Sequence, residues 1–84
     1  MWQKVFSVYD AKAAAYLQPF FAPNSAVAAR MIERAVNDAS TDFHRYAADY
    51  TLFEIGAYDS TSGLLVAAEK QINLGLLLTF VKES

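Results

Sequence analysis

His44 is the single imidazole of an 84-residue chain that has no cysteine, and it lies in the run Phe43-His44-Arg45-Tyr46 beside Asp42. An imidazole next to a carboxylate could serve as a general base or a metal ligand. A metal site needs several imidazole or thiolate ligands, however, and this chain offers one histidine and no thiols. The ordinary reading of His44 is a solvated loop residue. Asp10, Asp38, Asp42, Asp49, Glu54 and Asp59 mostly adjoin turn sequences, where a carboxylate accepts hydrogen bonds from its own backbone, and their spacing matches no cation-binding loop. The three glycines, Gly56, Gly63 and Gly75, form no phosphate-cradling loop, nucleophile elbow or dinucleotide fingerprint. The expectation is a protein that is not an enzyme and holds no metal or cofactor.

Binding chemistry is better represented. Arg30 and Arg34 are four residues apart, so on a helix they share one face, where like charges repel unless an anion or a carboxylate such as Glu33 offsets them. That spacing invites a phosphate contact, and an ordinary solvated helix face is the competing reading. Lys4, Lys12 and Arg45 are further candidate phosphate contacts. Tyr9 and Tyr16 are candidate platforms for unpaired bases, since aromatic rings on an open sheet can stack single-stranded DNA. In so apolar a chain, most aromatics belong to a core or an interface, and no RNA-recognition signature is present.

These side chains must be positioned by a single domain, residues 1–84, near the size where one core only just suffices. At 55% hydrophobic and 19% charged residues, the composition is far from that of disordered chains. The absence of cysteine suits a reducing compartment. The beginning MWQKVFSVYD has no basic head followed by an apolar stretch, and the longest apolar run, residues 74–81, is well short of the ~20 residues of a membrane span. A soluble, unexported protein is expected. A net charge of −2, with charges spread singly, gives the molecule no long-range attraction to a polyanion, so any nucleic-acid contact must be local or shared across an oligomer.

Residues 3–9 alternate with the period of a strand, and residues 10–13 can turn the chain into a second strand over 14–21. Pro19, lacking an amide hydrogen, belongs at a sheet edge or at that strand's end. Asn24 and Ser25 can cap a helix in which Val27, Ala28, Met31, Ile32, Ala35 and Val36 recur at three-and-four spacing. Short polar residues over 37–41 stop it, and 42–49 reads as a loop or a single turn. Residues 50–58 form the third strand. The loop Asp59-Ser60-Thr61-Ser62-Gly63 makes a hairpin in which Gly63 takes positive φ, and residues 64–70 return as the fourth strand. In the tail, Asn73 can cap a short helix running to Lys82, although Gly75 weakens it and the apolar residues also allow a strand.

The class is therefore α+β: ββαββ, with a four-stranded antiparallel sheet, one packed amphipathic helix and a short C-terminal helix. One helix covers one face of such a sheet, yet apolar side chains occupy both. Either the terminal element or a partner chain must cover the second face. A homodimer is expected, with Leu74, Leu77, Leu78 and Val81 as candidate contacts.

The segments VYDAKAAAYLQPFFAP, AVND and DYTLFEIGAYDSTSG carry a resemblance that spans most of the chain. Through Tyr9-Asp10, Lys12-Ala13, Pro19-Phe20-Phe21, Arg30, Val36-Asn37-Asp38, Asp49-Tyr50, Leu52-Phe53, Gly56, Tyr58-Asp59 and Gly63, the sequence resembles the small nonstructural protein of gokushovirus-type microviruses, which are single-stranded DNA phages. The resemblance implies a protein made in the cytoplasm of the infected bacterium, absent from the mature virion, and acting around viral DNA synthesis by binding single-stranded DNA. It carries over no catalytic residues. The alternative is a module that binds the phage replication protein or a host factor through an apolar surface.

Overall fold

Alternating residues at the start of the chain become β1 (Trp2–Asp10), which is central in the sheet because strands pair with it on both sides. The computed structural model describes residues 1–82. After β1 come β2 (Ala15–Tyr16), β3 (Phe20–Ala22), α1 (Ser25–Val36), α2 (Asp42–Arg45), a 3-10 turn over Ala47–Asp49, β4 (Tyr50–Asp59), β5 (Leu65–Leu76) and a second 3-10 turn over Leu77–Phe80. Every pairing is antiparallel: β5 lies beside β4, β4 beside β1, and β2 and β3 share the other side of β1. The expected α+β class and strand–helix–strand order are found. No helix among the described residues is long and apolar enough to cross a membrane.

The second strand is divided where Pro19 falls. Between the pairs Phe6–Phe20 and Tyr9–Tyr16 the outer strand carries one residue more than β1, and the missing proline amide sits in that bulge. The Leu17 amide still donates to the Val8 carbonyl (2.8 Å), and the Ser7 hydroxyl donates to the Leu17 carbonyl (2.7 Å), so the buried Ser7 is satisfied. Preceding this edge, Asp10 accepts from the Lys12 and Ala13 amides and closes the turn, with Ala14 in the left-handed region at φ 53°.

Asn24 caps α1, its side chain accepting from the Val27 amide at 2.9 Å, an arrangement worth about 1 kcal/mol. Ala28, Ile32 and Val36 form the buried stripe, one helical turn apart, while Met31 lies on its flank and is exposed. The stripe packs with Phe6 and Val8 of β1, Ala22 of β3, and Tyr50 and Leu52 of β4. Phe6, Leu52 and Leu77 are fully buried, each contributing about 1.5–3 kcal/mol of transfer free energy.

The C-terminal segment, for which the sequence allows a helix or a strand, divides between the two. In place of a helix from Asn73 to Lys82, the fourth strand runs on to Leu76 and the helical part shrinks to the single 3-10 turn. Gly75 adopts φ 117°, outside helical space, and the Asn73–Phe53 and Leu76–Thr51 pairings give the segment a strand partner. Glu54 and Gly56 on β4 face Ile72 and Ala67 on β5, so β5 carries a long bulge over 68–71.

Two positions make the β4–β5 hairpin specific. A Cβ at Gly56 would collide with the Val66 carbonyl oxygen, so the two backbones pair here only because this residue is glycine. Gly63 takes φ 75°, as its loop position requires. Asp59 organises that loop: its carboxylate accepts from the Met1 ammonium (2.8 Å), the Ser62 hydroxyl (2.9 Å) and the Thr61 amide (3.2 Å). The Met1 ammonium, then Ser62 and Thr61, hold its pKa down at about 2, against an ordinary 3.8.

Gly56→Ala should lower the unfolding free energy by about 1–3 kcal/mol, read from urea unfolding, whereas an unchanged midpoint would mean that β5 does not approach so closely. Because the folded pKa of Asp59 is depressed, its contribution is fully present above the unfolded value and is lost as pH falls toward 2. Thermal melts of wild type and Asp59→Asn should therefore differ at pH 5–7 and converge as pH falls to about 2.

Candidate functional site

The sequence candidates fall on two sides of the molecule. Arg30 and Arg34 lie on the exposed side of α1, opposite the stripe that packs on the sheet. They line one open cleft together with Glu33, Asn37 and Lys82. The Lys82 ammonium is 2.9 Å from the Glu33 carboxylate and so offsets it, and among the described residues the cleft has no other acidic side chain and Arg30 and Arg34 have no carboxylate within salt-bridge distance.

Asn37 builds this cleft. As the residue ending α1, it donates from its side-chain amide to the Glu33 carbonyl (2.7 Å) and the Phe80 carbonyl (3.0 Å), and its side-chain oxygen accepts from the Lys82 amide (2.8 Å). These bonds fasten the segment after the last 3-10 turn to the end of α1, with Leu77 buried in the core and Phe80 and Val81 packed against it. The result is three cations and one carboxylate on a single surface. Lys82 escaped the sequence reading because it is brought to Glu33 across 49 residues by the Asn37 contact. The usable signal would have been the capping amide after α1, which can bind a second backbone as well as its own helix.

The other basic candidates do not join them. Lys4 on β1 faces Glu54 of β4 at 3.4 Å, Lys12 in the first turn lies 3.9 Å from Asp49, and Arg45 on α2 lies 3.8 Å from Asp42 and donates to the Ser40 carbonyl. Such exposed pairs add little stability but lower the positive potential offered to an anion. His44 is exposed on α2, and its Nδ1 is 3.0 Å from the Val36 carbonyl, an orphan acceptor at the end of α1. Its neighbour Asp38 is held below the usual carboxylate range, first by the Ser40 hydroxyl and then by the Ser40 amide. Among the described residues no cluster of histidine and acidic side chains could hold a metal ion.

Tyr9 and Tyr16 belong to the sheet face turned away from α1. Residues directly opposite in antiparallel strands share a face, and the pairings define four rows on this one: Tyr16–Tyr9–Thr51–Leu76, Ser7–Phe53–Asn73, Phe21–Val5–Gly56–Ala67 and Gln3–Tyr58–Leu65. None of these residues is charged. Tyr16 leans on Tyr9 (centroids 4.9 Å apart, planes at 60°) and on Phe53 (5.7 Å, 68°), and its hydroxyl is 2.7 Å from the Gln71 side-chain oxygen. Phe21 leans on Tyr58 in the same manner. The rings are tilted against one another, an arrangement suited to packing. An apolar hollow lies between Val5, Pro19, Ile55 and Gly56 on one side and Leu65, Val66 and Ala67 on the other.

Of the expected oligomer contacts, Leu77 is fully buried in its own chain's core, and Leu74 and Val81 pack against that core. Leu78 is exposed.

Asn37→Ala should cost about 1 kcal/mol by removing the donor to the part-buried Phe80 carbonyl and the acceptor of the Lys82 amide, and should speed amide exchange at Lys82, measurable by NMR. Unchanged exchange at Lys82 would mean that Asn37 does not hold this segment.

The family model described as Phage ORF5 protein matches residues 3–80. Comparison with curated proteins and with solved structures gave no match.

Proposed function

This chain belongs to the Phage ORF5 protein family, and from that premise we propose that it is a nonenzymatic phage protein of the gokushovirus-type microviruses that binds single-stranded DNA and acts around viral DNA synthesis. It works in the cytoplasm of the infected bacterium and is not retained in the mature virion. The observation that carries the reading is the convergence of Arg30, Arg34 and Lys82 at one cleft, whose only carboxylate among the described residues, Glu33, is offset by Lys82. Two guanidinium groups one helical turn apart present planar donor forks, the geometry that suits phosphate oxygens.

The mode of contact follows from where the groups lie. Phosphate contacts position a nucleic acid without reading its bases. Because the cationic cleft is on the outside of α1 and Tyr9 and Tyr16 are on the far side of the sheet, one short strand cannot be held by both. The contact is therefore backbone-directed, weakly selective and narrow, with about three cations in it. Counterion release by Arg30 and Arg34 alone on a single strand gives a salt slope of roughly −1.4, and a Lys82 freed from Glu33 would bring it to roughly −2.

Fluorescence anisotropy of labelled single-stranded DNA across a salt series tests this. We expect binding at low salt with a slope between those values, a loss of about tenfold or more in affinity for Arg30→Ala/Arg34→Ala, and little change for Tyr16→Ala. Absence of binding at low salt, or an unchanged affinity in the double arginine variant, would sink the reading.

A further inference from the structure

The sheet face away from α1 is covered only in part, by the bulge near Pro19 over Val5 and Ser7, and no residue of its four rows is charged; the exposed Glu69 and Lys70 lie in the β5 bulge at its margin. We propose that this face is the contact between two copies of the chain, packed sheet to sheet about a two-fold axis with the two α1 helices outside. The proposal goes beyond DNA binding and rests on a different surface from the cationic cleft.

Charge is the first argument. In a two-fold contact, residues near the axis meet their own copies, so any charge there faces a like charge. Gln3, Tyr9, Phe53 and Tyr58 on the two central strands present none, and neither do Phe21 and Leu65 toward the flanks. A nucleic acid would bring phosphates to a surface with no cation among its rows, whereas a second copy brings another uncharged surface of the same kind. The amide and hydroxyl groups of Gln3, Asn73 and the tyrosines can pair across the contact or remain at its rim.

Area is the second. The molecule measures 42 × 26 × 18 Å. The long dimension fits the β4–β5 hairpin, whose ten-residue β4 alone extends about 33 Å before its loop, so the 42 by 26 Å side is taken as the plane of the sheet. That side can supply the ~800 Å² per partner of a standard stable interface. The exposed side chains are large enough to use it: Phe21 is 46% exposed, Tyr16 43% and Leu65 64%. Sheets stacked in this way lie about 10 Å apart, with side chains of both filling the space. The hollow beside Val5 and Gly56 gives a socket for a side chain of the other copy.

Sedimentation equilibrium of the whole chain, with circular dichroism of every variant, tests the proposal. Wild type should sediment at twice the 9.3 kDa chain mass. Phe21→Glu and Leu65→Glu, placed at exposed positions, should keep the folded spectrum while raising the dimer dissociation constant at least about thirtyfold. Leu78→Glu, exposed outside this face, should leave the dimer intact. If a glutamate variant fails to fold, Leu65→Ser gives the same readout with a smaller perturbation. A wild-type monomer at high micromolar concentration overturns the proposal and leaves the face to a different protein. A dimer that survives Phe21→Glu and Leu65→Glu but dissociates in Leu78→Glu also overturns it, placing the contact at the C-terminal turn. Neither result bears on the cationic cleft, which the DNA titration tests separately.

Discussion

One helix cannot cover two faces of a sheet, and that geometric fact governs this molecule. The twelve residues of α1 extend about 18 Å and present one apolar stripe. The sheet beneath has apolar side chains on both faces, because β1 and β4 carry large residues at odd and even positions alike. The covered face takes Phe6, Val8, Tyr50 and Leu52 into a closed core with Ala28, Ile32 and Val36. The other face receives Tyr9, Phe53 and Tyr58, covered only in part: the bulge near Pro19 shields Val5 and Ser7, and the Tyr16–Gln71 contact crosses beside Tyr9 and Phe53. Burying such a surface against an apolar partner is favourable at roughly 25 cal/mol per Å² before the costs of association.

The same constraint explains why the C-terminal segment is drawn inward. With α1 spanning only part of the sheet, a gap is left beside Tyr50 and Leu52, and Leu77 enters it after β5 ends. The chain then has to be held against α1 without a further helix, and the Asn37 side chain does this by bonding backbone on both sides of itself. The position of Lys82 in the cationic cleft is therefore a consequence of core filling. Binding chemistry and packing are linked at this point: loosening Leu77 or Asn37 would move a cation out of the cleft.

Much of this was legible in the sequence because it depends on local periodicity. Alternation over β1, the three-and-four spacing of α1 with its Asn24 cap, and the turn residues from Asp59 to Gly63 each report the structure that contains them. What escaped depends on contacts between distant segments. The tail was open between helix and strand because a run such as INLGLLL satisfies either period, and β4, whose edge was open to pair with it, drew its first part into the sheet and left a short 3-10 helix at Leu77–Phe80. The break at Pro19 was anticipated at an edge, but its service in shielding Val5 and Ser7 was not. Of the candidate phosphate contacts, spacing along a helix correctly joined Arg30 to Arg34. It had no means of showing that Lys4, Lys12 and Arg45 each stand beside a carboxylate, or that Lys82 completes the cleft. Leu77 read as an interface residue for a related reason: an apolar side chain near the end of the chain carries no mark of whether its own core or another copy receives it.

The separation of the two surfaces sets what an assembly of this chain can do with DNA. A chain of net charge −2 offers a polyanion no long-range attraction, so on the proposed reading a single copy would bind through few contacts at the α1 cleft. Two copies joined through their uncharged faces carry their clefts on opposite outer sides, separated by the thickness of two 18 Å chains. A short oligonucleotide reaches one cleft and gains nothing from the second. A strand long enough to pass around the edge reaches both, and the second contact is then made at the effective concentration set by the intervening DNA. If both proposals hold, a preference for long single strands over short ones would follow from this geometry, without any base being read.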